Sequence, residues 1–144
     1  MLVIACALAA IIGHSQVWSG TPPPVPAPSG CKYEEELGVD SWAGVYKCKQ
    51  GLRIEHDIGD LAGVYVSNDP LRGRKFDSIQ ATEFSGHKVL FGFTQVKHPQ
   101  FIVSIPDLTA NFIASGNAGV LSRQKELVLT IASEYAKAHT KDRK

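Results

Sequence analysis

Ser85-Gly-His-Lys-Val-Leu-Phe-Gly-Phe-Thr-Gln-Val96 is the stretch on which the reading of this chain turns. Val89, Phe91 and Phe93 recur at every second position and Leu90 falls on the other face, which is the period of a strand, not of a helix. Ser85-Gly86 ahead of it has the composition of a hairpin turn, so a partner strand is expected just upstream. Phe76–Phe84 supplies one, with Ile79 and Ala81 opposite Ser78 and Gln80. Downstream, His98-Pro99 breaks the pattern, and Phe101–Ile105 resumes it as far as Pro106.

The same period runs through the first half of the chain. Leu52, Ile54 and His56 alternate with Arg53, Glu55 and Asp57, after a further candidate strand at Ala43–Lys49. Val64 and Val66 alternate around Tyr65 and read as another strand. Connections this short, with no helical pattern between the strands, predict an antiparallel meander and not βαβ units.

From Val120 the period changes. Val120, Leu127, Val128, Ile131 and Tyr135 form one helical stripe, and Arg123, Lys125, Glu126 and Glu134 fall mostly outside it. A short helix is expected at Asp107–Ser115, after Pro106, with Ser115–Gly119 as a loop. The expected fold class is therefore α+β: an antiparallel sheet of about five or six strands with a C-terminal helix packed on one face.

The N-terminus has a different character. Its first 31 residues contain no Lys, Arg, Asp or Glu. Leu2–Gly13 is an apolar run of about 12 residues, sized for a signal-peptide core and short of the roughly 20 that span a membrane. Only Met1 precedes it, where a signal peptide normally carries basic residues. Val3-Ile4-Ala5-Cys6 is similar to a lipoprotein box, but no hydrophobic core precedes Cys6. Thr21–Ser29 follows with five prolines from Pro22 to Pro28, an extended strip expected to stay out of the core and act as a spacer. The predicted organisation is a signal peptide at 1–19, a Pro-rich spacer at 20–30 and a single domain at 31–144.

Export leaves Cys31 and Cys48 as the cysteines of the mature chain, and a disulfide between them is the expected state. Two buried thiols or a metal pair are the alternatives, although the spacing is too wide for a C-x-x-C motif. A net charge of +1 with 44% apolar residues argues against a nucleic-acid partner. Glu34, Glu35, Glu36 and Asp40 cluster after Cys31, and Lys137, Lys141, Arg143 and Lys144 crowd the C-terminus. Solvated faces account for both clusters.

No catalytic pattern emerges. Glu55-His56-Asp57 looks like a ligand set, but alternation sends His56 to one face and both carboxylates to the other. His56 therefore reads as a core or interface histidine. His87 and His98 flank the strongest strand without converging, Ser85 lacks a G-x-S-x-G elbow, and no metal or cofactor motif is present.

Two features suit binding. Asn68–Lys75 is a turn-forming loop carrying Arg72, Arg74 and Lys75, fit for an acidic partner or an anionic envelope polymer, although a solvated hairpin tip is the commoner role of such a loop. Trp42, close to the acidic cluster, is a candidate interface anchor, although anchoring the first strand in the core with Tyr46 and the disulfide is the preferred explanation.

Tyr46-Lys-Cys-Lys-Gln-Gly51 ahead of a strand resembles the Tyr-x-Cys-x-x-Gly opening of membrane-bound or periplasmic C-type lysozyme inhibitors. Ser85–Phe91 is similar to a late strand of another periplasmic lysozyme inhibitor. The diagnostic loops of both have no counterpart here, so neither resemblance assigns a site residue.

The expected function is a small exported, periplasmic or extracellular protein-binding domain, of inhibitor or immunity type, acting on a secreted enzyme. The alternatives are a small envelope hydrolase using His56 or His98, and a structural envelope module retained through its N-terminus. No membrane span is expected in the mature chain.

Overall fold

A computed structural model describes residues 21–38, 40–69, 74–94 and 98–140. The expected signal peptide at 1–19, Arg72 and the last four residues of the basic tail lie outside these. The strands are β1 (Cys31–Glu36), β2 (Trp42–Cys48), β3 (Arg53–Ile58), β4 (Gln80–Phe84), β5 (His87–Phe93), β6 (Gln100–Ile105) and β7 (Ala110–Ser115). One helix, α1 (Ala118–Ala138), follows them.

The strands form one antiparallel sheet of seven in the order β1-β2-β3-β7-β6-β5-β4. The expected α+β arrangement is present, with slightly more strands than the sequence suggested. It is two meanders, β1–β2–β3 and β4–β5–β6–β7, joined through β3 and β7. Because the second meander docks by its last strand, β4 ends at the far edge of the sheet.

Alternation within β5 is as read. Val89, Phe91 and Phe93 face the main core under α1, and Leu90 packs on the opposite side with Val66, Ile102 and Ile113. The helix rests on β6 and β7 and reaches β4. Asn117 caps it by accepting a hydrogen bond from the Gly119 N–H at 2.8 Å. Val120, Leu121, Val128, Ile131, Ala132, Tyr135 and Ala136 form its buried stripe. Each large apolar side chain buried there contributes roughly 1.5–3 kcal/mol.

Three expectations fail, each for a local reason. Asp107–Ser115 is not a helix: a 3-10 turn covers Pro106–Leu108, and Ala110–Ser115 is the central strand β7. Five of its six residues are buried, so it lacks the one-face alternation that marks a half-exposed strand. Val64–Val66 is not a strand, because buried side chains take its N–H groups. Tyr65 N donates to Asn111 Oδ1 at 3.0 Å and Val66 N to Ser104 Oγ at 3.0 Å. Ser104 in turn donates to Asn111 Oδ1 at 2.7 Å, and Asn111 Nδ2 donates to the Gly63 carbonyl at 2.9 Å. This network pins the β3–β4 connection across the second face of the sheet.

The third correction concerns the proline strip. The expectation that it stays out of the core fails at Val25, which is 7% exposed and belongs to the main core. Tyr46 clamps it there: its hydroxyl donates to the Val25 carbonyl at 2.7 Å and accepts from the Val25 N–H at 3.2 Å. Burial pushes the Tyr46 phenol up to about 12. At least from Val25 onward, the strip is part of the folded domain.

Cys31 and Cys48 sit opposite each other in the β1–β2 register and form the expected disulfide. Among the described residues, no helix is long and apolar enough to cross a membrane.

Candidate functional site

The residues that drew attention in the sequence do not assemble into one site. Trp42 shares a face of β2 and β3 with Gly44, Tyr46, Ile54 and His56, as their cross-strand register requires. Asp57 points to the other face, where it accepts a hydrogen bond from the Tyr65 hydroxyl. The Arg74 guanidinium lies 4.2 Å over the Tyr65 ring, a cation–π contact on that second face. Trp42 and Arg74 are thus separated by the thickness of the sheet. Arg74 is committed to Tyr65, Lys75 is exposed, and Arg72 lies outside the described residues.

His56 is a core residue, 2% exposed. Its Nδ1 faces the Trp42 carbonyl at 3.0 Å, so this nitrogen carries the proton and donates. Its Nε2 then accepts from the Tyr33 hydroxyl at 2.9 Å. Trp42 meets the ring edge-on, with centroids 5.5 Å apart. Burial holds the imidazole well below its ordinary range, at about 4, so it is neutral near pH 7. Gly44 makes this pair possible. A Cβ at that position would lie 2.3 Å from Tyr33 Oη and 2.8 Å from His56 Nε2.

His87 is also buried, at 3% exposure, and ties three elements together. Nδ1 faces Asp107 Oδ2 at 2.5 Å, and Nε2 faces the His139 carbonyl at 3.2 Å. Both partners are acceptors, and the ring, donating from a nitrogen that carries a proton, sits between the start of β5 and the end of α1. His98 is exposed on the β5–β6 connection, at the opposite end of β5 from His87. Among the described residues, no group of three or more His, Cys, Asp or Glu side chains could hold a metal ion.

Concavity lies elsewhere. A groove of about 330 Å³ runs between α1 and β4, lined by Thr82, Phe84, Phe91, Glu126, Leu129 and Thr130. Three half-buried apolar side chains, Phe84, Phe91 and Leu129, meet three exposed polar ones, Thr82, Glu126 and Thr130. The Thr130 hydroxyl donates to the Glu126 carbonyl at 2.8 Å, which leaves the Glu126 carboxylate as the charged group of the wall. β4 borders the groove as an edge strand, with Gln80, Ala81, Thr82 and Glu83 exposed. Such a groove suits an inserted side chain, and an open strand edge suits a backbone.

Sequence reasoning identified Phe84 and Phe91 as strand residues and placed Leu129 in the helix. It could not bring them together, because that required knowing which strand would end at the edge. The chain matches no protein-family model, no curated protein and no solved structure.

Proposed function

We propose that this is an exported protein-binding domain that holds a segment of its partner in the groove between β4 and α1. The observation that carries the reading is the conjunction of a partly apolar groove with an open strand edge along its rim. A disulfide suits an oxidising compartment, and in that setting the role is inhibition of, or immunity to, a secreted enzyme. Trp42 is excluded from the binding surface in this reading, since it packs on His56 far from the groove. Arg74 is likewise assigned to holding the β3–β4 connection.

Affinity capture from envelope and culture extracts tests it. The wild-type chain should retain a stoichiometric protein partner, Leu129→Glu should lose it, and Arg74→Ala should keep it. Equal capture by wild type and Leu129→Glu overturns the reading.

A further inference from the structure

We infer that the partner segment binds as an added strand on β4 and carries, two positions apart on one face, an apolar residue and a Lys or Arg. The inference rests on the binding function proposed above and specifies the chemistry of the occupant.

The backbone of β4 sets the geometry. Ser85 and Gly86 have φ of 51° and 83°, so a two-residue turn with both central residues in the left-handed region joins β4 to β5. Phe84 and His87 flank that turn and are paired, so they exchange their N–H and C=O groups. Alternation then turns Thr82 and Gln80 inward to β5, and points the polar groups of Ala81 and Glu83 out of the sheet. Among the described residues, no other element bonds to that edge. β4 contains neither proline nor bulge, and four of its five residues are exposed.

The opposite edge is guarded. β1 exposes Lys32, Glu34 and Glu36. Glu34 pairs with Lys47, and Glu36 lies 3.8 Å from Arg53. Alternating charges on an outer strand discourage pairing with a further chain. β4 lacks this protection at Ala81 and Thr82.

Side-chain chemistry follows from the faces. Thr82 and Phe84 point to the side of the sheet covered by α1, so alternate residues of an added strand enter the groove. One such residue meets Phe84, Phe91 and Leu129 and has to be apolar. The next on the same face lies about 7 Å further along the strand. Glu126 and Leu129 are three residues apart on α1, about 4.5 Å along its axis, so a long cationic side chain at that next position is within reach of the Glu126 carboxylate. Among the described residues, the Glu126 carboxylate is in no ion pair, and a cation on the incoming strand complements it. Glu83 lies on the other face opposite Lys88, so Glu126 supplies the charge selection.

A phage-displayed library of random 12-residue peptides, selected on the disulfide-bonded full chain, tests the inference. Enriched sequences should share an apolar residue and a Lys or Arg two positions apart, in one consistent order, and the same library selected on Glu126→Lys should place Asp or Glu at the cationic position instead. Synthetic copies of the enriched peptides should bind Ala81→Pro at least tenfold more weakly than wild type. Proline at 81 removes an outward N–H and no bond within the sheet. In the wild-type complex, amide exchange at Ala81 and Glu83 should slow. Peptides that lose binding to Leu129→Glu but bind Ala81→Pro unchanged overturn strand addition and leave the groove as the binding site. Peptides indifferent to both variants overturn the strand and the proposed function together. Failure to enrich any pattern counts against the strand. So does a free chain that sediments as a dimer and is dissociated by Ala81→Pro, which would give the edge to a second copy.

Discussion

Unfolding free energy should fall by about 3 kcal/mol as the pH drops from about 6.5 to 4, through His56. In the fold this imidazole is buried and neutral, with its proton affinity lowered to about 4 from an ordinary 6.5. Between those values the unfolded chain takes up a proton that the folded chain refuses, so acid favours unfolding. The stabilisation is complete above pH 6.5, is lost progressively toward pH 4 and does not change further below it. Urea titrations at pH 7.5, 5.5 and 4 measure the slope. His56→Gln should remove this part of the pH dependence, and the His56 ring resonances in the wild type should titrate near pH 4. Parallel pH profiles for wild type and His56→Gln would contradict the assignment.

Reduction of Cys31–Cys48 should destabilise the domain by about 3 kcal/mol, the chain-entropy value for a loop of about this length. The bond spans a sequence separation of 17 and fastens the edge strand β1 to β2. β1 exposes every second residue, so it has little apolar area to hold it once the bond is open. The midpoint of thermal unfolding should drop by on the order of 10 °C for Cys31→Ser/Cys48→Ser. Amides of β1 should then exchange before those of β6 and β7. A shift of less than 2 °C would show that β1 is held by its ladder and ion pairs instead.

How much of the fold was legible depended on which side chains meet water. β3 and β5 could be read because their apolar residues alternate, and α1 because one stripe of it is buried. β1 escaped notice because its run of Glu34, Glu35 and Glu36 suits strands poorly in general, yet an edge strand tolerates it with half its residues in water. β7 escaped because Ala110–Ser115 is enclosed from both sides and includes a buried Asn, while Pro106 imitates a helix start. Val64–Val66 misled for the opposite reason: its alternation is real, but Ser104 and Asn111 claim its backbone from positions far along the chain.

The candidate site was less legible than the fold. Trp42 and the basic loop stood out by composition, and composition does not reveal that Trp42 packs on His56 or that Arg74 covers Tyr65. The groove is built from ordinary residues of β4, β5 and α1. It exists because β7 takes the place beside β3, leaving β4 at the edge.

Photo-crosslinking tests the central claim most directly. A photoreactive phenylalanine analogue is placed at Thr82 in the groove or, separately, at Lys32 on the opposite edge, in otherwise wild-type chains expressed in their native compartment. The account predicts a discrete crosslinked species with a partner protein from position 82 and none from position 32. The same species formed from position 32 and absent from position 82 would contradict it.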